Sequence, residues 1–231
     1  MTDSLIEAVG LSAGYGKMAV VRELDLHVAA GEVVALLGAN GAGKTTTLLT
    51  LAGELAPIDG EVRFLGAATR APMHARCRNG LGYLTEERSV IMDMTVADNL
   101  KLASVPPAVA FSYFPGLERM MDRRAGLCSG GEQQMLSLAR ALGREPKVLL
   151  ADELSLGLAP IIVANLLQAV RDAATERGVG VLLVEQHVRQ ALKVADRVYV
   201  MERGHIVLSG TTDEVVGQLD KIEAAYLTGS G

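Results

Sequence analysis

The chain has 231 residues, 49% of them hydrophobic, and a formal net charge of −5 at pH 7. A chain of this length and hydrophobic content can bury the core of one full domain. The acidic balance argues against broad electrostatic binding to nucleic acid, which requires clustered Lys and Arg side chains.

The two cysteines, Cys77 and Cys128, form no C-x-x-C motif, so neither a disulfide scaffold nor a zinc site is expected. Both are interpreted as buried small hydrophobic residues. The first residues lack the basic start and apolar run of a secretion signal, and no apolar run approaches the ~18 residues of a membrane span. We therefore expect a cytosolic chain.

The first part of the chain has the pattern of antiparallel strands. Between residues 5 and 28, apolar and polar side chains alternate, most regularly over residues 24–28, as in a sheet with one solvated face. Residues 33–37 are instead five apolar residues in succession, which is typical of a strand buried on both faces. A change from an antiparallel to a buried parallel sheet is predicted here.

The buried strand leads into residues 38–46, which fit the phosphate-loop pattern G-x-x-x-x-G-K-[ST]. Glycines allow successive backbone N–H groups to point inward at phosphate oxygens. Lys44 supplies a positive charge for the β- and γ-phosphates, and the Thr45 hydroxyl can bind Mg²⁺. A helix is expected to follow, up to Gly53. The candidate nucleotide-binding residues are Gly38, Asn40, Gly41, Ala42, Gly43, Lys44, Thr45 and Thr46.

Beyond the first helix, strands and helices alternate around an inserted helical region. Residues 88–135 are predicted to form a small helical lobe, with an N-cap pattern at residues 95–98 and an interruption at residues 106–107. The remaining elements follow from apolar runs and breakers. Strands are predicted at 61–66, 81–84, 148–151 and 181–184, helices at 160–177, up to 195 and at 213–227, and a hairpin at 198–208.

Acidic residues follow one of the buried strands. Asp152 and Glu153 come directly after the apolar residues 148–151. Ligands collect at the carboxyl ends of the strands of an α/β sheet. Asp152 therefore suits a carboxylate on the Mg²⁺ side, and Glu153 suits the group that orients the attacking water.

Residues 129–134, Ser-Gly-Gly-Glu-Gln-Gln, form a second feature suited to phosphate because small residues begin a helix there. An ordinary helix cap would give the same pattern. One nucleotide does not need two phosphate-binding features. The second feature, at residues 129–134, is therefore predicted to serve a nucleotide held by another subunit.

Together these motifs resemble the ATP-binding cassette (ABC) ATPases over essentially the whole chain. Residues 38–46 match the Walker A motif, 129–133 the signature motif and 149–153 the Walker B motif. The resemblance implies an α/β fold: a P-loop NTPase (RecA-like) core with an N-terminal antiparallel β-subdomain and an inserted small helical subdomain. It implies one domain, with residues 1–87 and 136–231 as core and 88–135 as helical subdomain.

The resemblance also implies ATP and Mg²⁺ as cofactors and head-to-tail dimers in which each ATP lies between one P-loop and the partner's signature. Tyr15 matches the aromatic that stacks on adenine; alternatively it is a turn tyrosine packed on the sheet. The implied roles are catalytic for Glu153, Lys44, Gln186 and Glu86, and metal-binding for Thr45, Asp152 and Glu86. The signature residues are Ser129, Gly130, Gly131, Glu132 and Gln133.

Within the family, the chain looks like the smaller ATP-binding subunit of branched-chain amino-acid importers. The segments that carry this likeness are residues 38–46, 129–135, 155–162, 184–186, 190–193 and 225–227. The likeness implies a second ABC ATPase, the same chain or a related one, two permease subunits and, indirectly, a solute-binding protein. No nucleic-acid partner is expected. The implied location is the inner face of the cell membrane, reached through the permease.

Several positions depart from the general family pattern. Glu86 stands where most members have the Q-loop glutamine, and Gln186 stands where most have the switch histidine. His187, one residue later, is an alternative switch residue, although neighbouring side chains on extended backbone face oppositely. Ala159 replaces the aspartate of the D-loop, and Leu154 replaces the proline after the Walker B pair.

Two interpretations stay open. The aromatic cluster at residues 111–114 either lines a groove for the permease or forms the small core of the helical lobe.

The function is either that of a transport ATPase or that of an ABC protein acting without a permease in regulation, repair or translation. Those proteins usually fuse two cassettes or carry long arms, which this chain does not show. An unrelated P-loop kinase is disfavoured by the signature motif.

Overall fold

The computed structural model describes residues 4–85, 87 and 89–217. The strands are β1 (Ser4–Tyr15), β2 (Met18–Ala29), β3 (Val33–Leu37), β4 (Asp59–Phe64), β5 (Ala67–Ala68), β6 (Leu81–Leu84), β7 (Val148–Asp152), β8 (Gly180–Glu185), β9 (Arg197–Glu202) and β10 (His205–Thr211). The α-helices are α1 (Lys44–Ala52), α2 (Met73–Arg78), α3 (Val96–Leu102), α4 (Pro107–Tyr113), α5 (Gly130–Leu142), α6 (Pro160–Arg177), α7 (Val188–Ala191) and α8 (Thr212–Val216).

A central sheet has the strand order β10-β9-β3-β8-β7-β6. Neighbouring strands pair in parallel except β9 and β10, which form the predicted antiparallel hairpin. Every residue of β3, β7 and β8 is buried, as expected of strands covered on both faces. Successive side chains of β3 point to opposite faces, so Val34 and Leu36 pack in one core cluster and Val33, Ala35 and Leu37 in the other.

The N-terminal part forms the predicted antiparallel sheet, in the order β2-β1-β4-β5. Leu24, Leu26 and Val28 of β2 are buried, and the alternate residues 25 and 27 are exposed. The buried face of this sheet packs with α1 against one face of the central sheet. Its position next to α1 brings the β1–β2 hairpin close to the phosphate loop.

The other face of the central sheet is covered by α5, α6 and the helices that precede α5. Those preceding helices are α3, α4 and two 3₁₀ helices, Pro115–Met120 and Ala125–Leu127. The predicted fold class is therefore confirmed: an α/β P-loop core, an antiparallel β-subdomain and an inserted helical region. Among the described residues, no helix is both long enough and apolar enough to cross a membrane.

Helix capping and proline placement explain where the helices of the inserted region begin. Thr95 caps α3 by accepting a hydrogen bond from the backbone N–H of Asp98. Pro107 begins α4, where a missing N–H costs nothing, so the Pro-Pro pair separates two helices. Phe114 is buried, and the Tyr113 ring packs under the Arg177 guanidinium at 4.6 Å. The aromatic cluster therefore belongs to the core of this region.

Some details differ from the sequence-based expectation. The short elements β5 and α2 were not predicted, and α7 ends at Ala191 rather than 195 because residues 192–194 form turns. Cys77 is only partly buried, whereas Cys128 is buried as predicted. The division at residues 135 and 136 falls inside α5 and stays a prediction. Of the closing helix predicted at 213–227, residues beyond 217 lie outside the described part.

Candidate functional site

The phosphate loop connects β3 to α1 and depends on its glycines. Gly43, the N-cap of α1, has φ 111°, in the left-handed region that favours glycine. A Cβ atom on Gly38 would lie 2.5 Å from the carbonyl oxygen of Met201. No side chain of the described residues caps α1, and its first turn holds no acidic residue. Its N-terminal N–H groups are thus left for an anionic ligand.

Lys44 lies folded across the loop. It is 5% exposed, and its Nζ donates to the carbonyl oxygens of Gly38 at 2.8 Å and Ala39 at 3.1 Å. Burial lowers the pKa of Lys44, and the carboxylates of Glu153, Asp152 and Glu185 oppose that shift. An ammonium group held at the loop among carboxylates can form charge-assisted hydrogen bonds with phosphate oxygens.

A cavity of about 440 Å³ opens beside this loop. The structure brings eight of the predicted site residues to its wall, from the loop, from α1 and from the ends of β7 and β8. They are Asn40, Gly41, Gly43, Lys44, Thr45, Thr46, Glu153 and Gln186. Sequence reasoning missed two further wall residues, Val20 of the β1–β2 hairpin and Leu156 after β7. Val20 is one residue of an apolar run without a motif, and Leu156 belongs to the segment 155–162, to which no site role was assigned.

Ala42 and Asp152 are buried and do not line the cavity, whereas Thr45 does. Ala42 is buried, and its carbonyl accepts a hydrogen bond from the N–H of Gly204 at 2.9 Å. Thr45 is exposed at the start of α1, so its hydroxyl can reach a ligand. Asp152 is 3% exposed at the end of β7, on the side of Lys44.

Glu153 and Gln186 meet in the cavity. The Gln186 Nε2 donates to Glu153 Oε1 at 2.6 Å, although 33 residues separate them in sequence. The backbone N–H of Glu153 donates to the carbonyl of Val184 at 3.0 Å, which ties the end of β7 to β8. Glu153 also has φ 49°, a left-handed conformation that is costly for a residue with a Cβ atom. Surrounding contacts therefore fix the direction of this carboxylate.

The two alternative switch residues occupy different places. Gln186 lines the cavity and contacts Glu153. His187 is exposed and is the N-cap residue of α7, outside the cavity wall. Both residues follow the end of β8, in the bend that leads to α7, so the alternation of extended backbone predicted from the sequence does not apply to them.

The signature residues form a helix start. Ser129 and Glu132 make a full capping box: Ser129 Oγ accepts from the Glu132 N–H, and Glu132 Oε2 accepts from the Ser129 N–H. Gln133 is buried and donates to the carbonyls of Ala125 and Cys128. A Cβ atom on Gly131 would come within 3.0 Å of the Ile162 side chain. Of the predicted signature, Ser129, Gly130, Gly131, Glu132 and Gln133, none lines the cavity beside the P-loop.

Tyr15 stands apart from the cavity wall. Tyr15 is 57% exposed at the end of β1, next to the hairpin turn, so its ring is free to stack on a planar ligand. Glu86 lies outside the described residues.

Glu185 is a buried carboxylate to which the sequence analysis assigned no role. It is 1% exposed at the end of β8 and accepts hydrogen bonds from Ser155 N at 3.1 Å and Ser155 Oγ at 2.6 Å. Burial raises the pKa of Glu185, and the bonds from Ser155 act in the opposite direction. An acidic residue directly after an apolar strand, the signal that identified Asp152, was present here too.

Comparison with known proteins agrees with this geometry. Residues 21–155 match the family model described as ABC transporter. The chain is 40% identical to the high-affinity branched-chain amino acid transport ATP-binding protein BraG of Pseudomonas aeruginosa, over 95% of this chain and 97% of that protein. It is 37% identical to the lipopolysaccharide export system ATP-binding protein LptB of Acidithiobacillus ferridurans, over 92% of each.

Among solved structures, a nucleotide-free ATP-binding cassette from an ABC transporter has the same fold. The TM-score is 0.86 at 23% identity, covering 96% of this chain and 98% of that one. The family match spans more than half of the chain and includes the Walker A and Walker B segments. The chain therefore belongs to the ABC transporter family, as one of its ATP-binding ATPases.

Proposed function

We propose that this chain hydrolyses ATP to power an importer of branched-chain amino acids or a related small solute. The observation that carries the proposal is the 40% identity with BraG over almost the full length of both chains. The Glu-Gln pair at the end of β8 is part of the likeness to branched-chain importer subunits. It supports the proposal because Gln186 occupies the cavity wall.

The P-loop and α1 are proposed to bind the phosphates of ATP. The loop N–H groups and the uncapped N-terminus of α1 suit anionic oxygens, and Lys44 adds the charge. Thr45 and Asp152 would hold Mg²⁺ together with phosphate oxygens and water. A bound Mg²⁺ would neutralise charge on the β- and γ-phosphates. The donor set fits, since Mg²⁺ usually takes only one or two protein ligands at nucleotide sites.

Glu153 is proposed to orient the water that attacks the γ-phosphate. Its carboxylate lies in the cavity, and Gln186 donates to one of its oxygens, which leaves the other for water. Lys44 and Gln186 complete the proposed catalytic group. Glu86, which follows β6 in the sequence, is proposed to contribute to catalysis and to Mg²⁺ binding. General-base and positioning groups of this kind typically contribute about 10²- to 10⁴-fold in rate.

The signature is proposed to act on a partner's ATP. Residues 129–133 begin α5 and do not reach the cavity of their own chain, as a head-to-tail dimer would require. Tyr15 is proposed to stack on adenine. The partner is a second ABC ATPase, identical or related, and two permeases with a solute-binding protein complete the machine. The chain would then sit on the cytoplasmic face of the membrane, with residues 88–135 as its helical subdomain and no nucleic acid involved.

A groove of about 770 Å³ beside the edge strand β6 suits a permease segment. Among the described residues, its wall includes one acidic residue, Glu145, and four basic residues: Arg78, Arg140, Arg144 and Lys147. An exposed groove with this charge is a reasonable surface for a polar helix of a partner.

The identity with LptB supports a second candidate, an exporter of lipopolysaccharide. An uptake assay in cells distinguishes the importer from the exporter. Cells deleted for this chain should lose most uptake of labelled leucine, isoleucine or valine, and the wild-type chain, but not Glu153→Gln, should restore it. Unchanged uptake with a loss of lipopolysaccharide at the cell surface would favour the exporter.

Affinity purification of the chain in detergent supplies a second test. We expect two permease chains to copurify. Recovery of ribosomes or DNA without any membrane protein would contradict a transport role.

A further inference from the structure

Glu185 and Ser155 form a buried hydrogen-bonded pair between the loop after β7 and the end of β8. The Glu185 carboxylate accepts from both the backbone N–H and the hydroxyl of Ser155, and the two residues are 1% and 3% exposed. The other residues of β8 are glycine and aliphatic residues. An apolar residue would therefore be the default at this position of the sheet.

The pair lies between two other links that join the same segments. Glu153 N donates to the carbonyl of Val184, and Gln186 Nε2 donates to Glu153 Oε1. Glu153 is thus hydrogen-bonded to Val184 and Gln186, and Ser155 is hydrogen-bonded to Glu185, which lies between those two in the sequence. Glu185 is buried in the protein, whereas Gln186 lines the cavity.

Burying a carboxylate costs more free energy than burying an apolar side chain of similar size. Desolvation disfavours its charged form, as the raised pKa of Glu185 reflects, and the bonds from Ser155 offset only part of that. Buried polar pairs of this kind can fix one arrangement where apolar packing would allow several. Here the arrangement that it fixes is the loop bearing Glu153, whose backbone is already in a costly conformation.

We propose that Glu185 is a positioning residue: through Ser155 it fixes the loop of residues 153–158 so that the Glu153 carboxylate stays in contact with the Gln186 amide. This inference rests on the proposed catalytic roles of Glu153 and Gln186. Glu185 itself touches neither the phosphates nor the attacking water.

The test compares Glu185→Ala, Ser155→Ala and the double variant in steady-state ATP hydrolysis, with nucleotide affinity measured separately. Misplacement by about 1 Å can cost on the order of 100-fold in rate. We expect kcat to fall at least 10-fold in Glu185→Ala, while KM and ATP affinity stay within about twofold. Ser155→Ala keeps its backbone donor and should lose less, about threefold. The double variant should be no slower than Glu185→Ala, because both changes remove the same link.

Glu32→Ala is the matched control. Glu32 also carries a partly buried, hydrogen-bonded carboxylate, but it precedes β3 and so lies at the opposite edge of the parallel sheet. The Glu32→Ala substitution should lower the melting temperature without changing kcat. A kcat of Glu185→Ala within twofold of wild type would overturn the proposal, as would parallel losses of kcat, affinity and melting temperature.

If Glu185→Ala does not fold, Ser155→Ala and Glu185→Gln decide the question. A fall in kcat at constant ATP affinity supports the proposal, and wild-type kcat in both overturns it. Full turnover in Glu153→Gln would instead overturn the proposed role of Glu153. If Glu153→Gln loses turnover but the Glu185 and Ser155 variants keep wild-type turnover, only the positioning role of Glu185 is overturned.

Discussion

At the scale of single residues, the conformation of Glu153 links structure to chemistry. Its φ of 49° would suit glycine, yet the chain places a glutamate there. The N–H of Glu153 bonds to β8, and its carboxylate bonds to Gln186. A residue that keeps a costly backbone conformation inside a ligand-sized cavity is a candidate for a functional role, since packing alone would favour glycine.

Glu153→Gln should reduce ATP turnover by at least about 100-fold, because an amide cannot orient or deprotonate the attacking water as a carboxylate does. ATP affinity should change little, since the P-loop is untouched. Phosphate release and nucleotide titration measure the two quantities. Glu145→Gln is the matched control, because Glu145 also has positive φ, 52°, but is exposed after α5. Wild-type turnover in Glu153→Gln would remove that residue from catalysis.

Gln186→Ala and His187→Ala should differ in the same assay. Gln186 holds the Glu153 carboxylate, so its loss should lower kcat by about 10-fold or more, whereas exposed His187 should matter less than threefold. A larger defect in His187→Ala would reverse the assignment of the switch role.

At the scale of secondary-structure elements, α1, the helix that follows the P-loop, has two different ends. Its N-terminus is left uncapped for a ligand, and its C-terminus is closed by Gly53 in the left-handed conformation. Arg76 of α2 lies beneath that C-terminus, 2% exposed, and donates to the carbonyls of Thr50, Leu51 and Ala71. A buried cation bonded to the last carbonyls of a helix complements the negative end of its dipole.

Arg76→Met should therefore destabilise the fold by about 2–4 kcal/mol, because it leaves several buried carbonyls without a donor. Urea unfolding measures the free energy of unfolding. Arg78→Met, an exposed arginine on the same helix, should change it by less than about 0.5 kcal/mol. Equal effects of the two substitutions would show that the helix C-terminus does not depend on Arg76.

At the scale of the whole molecule, hydrogen bonds of Arg197 join the two sheets. Arg197 of β9 donates to both carboxylate oxygens of Glu32, at 2.8 and 3.0 Å, and to the backbone carbonyl of His27 on β2 at 2.8 Å. Arg197 also bonds to Tyr199. These contacts fix the antiparallel sheet on the central sheet, at the edge opposite the phosphate loop.

Glu32→Gln should cost about 1.5–3 kcal/mol at pH 7, the typical value of a hydrogen bond to a charged group. Burial raises the pKa of Glu32, but bonds from Arg197 and the Ala29 N–H outweigh it, so the pKa lies below 4.5. Because the folded pKa is the lower one, the stabilisation is complete above the unfolded pKa and is lost as pH falls through the folded pKa. The difference between variant and wild type should shrink below about pH 4.5.

Thermal unfolding across that range measures the effect. Both proteins should carry His27→Gln, because His27 also faces Arg197 and its pKa is lowered by burial and by that charge. A difference that is independent of pH would mean that Glu32 stabilises by shape rather than by charge.

Assembly is tested by light scattering on purified Glu153→Gln. A dimer should form with Mg-ATP and not with Mg-ADP, since the signature residues lie away from the cavity of their own chain. A monomer that nonetheless binds ATP would contradict dimerisation of this chain alone and indicate a different ATPase as partner or a requirement for the permease.

The sequence by itself determined the strands β3, β6, β7 and β8, the helix α6 and the phosphate loop. These features depend on local physics: apolar runs make buried strands, and glycines permit a tight loop whatever surrounds them. The positions of Lys44, Asp152 and Glu153 at the carboxyl edge followed from strand direction alone.

Only the tertiary structure decided which side chains meet. The contacts of Glu153 with Gln186, Ser155 with Glu185 and Arg76 with Leu51 join residues 33, 30 and 25 positions apart. The first two arise because β7 and β8 are neighbours in the sheet and end side by side, and the third arises because α2 packs under the end of α1. Strand order and helix packing are global properties of the burial of the core, so no local pattern specifies them.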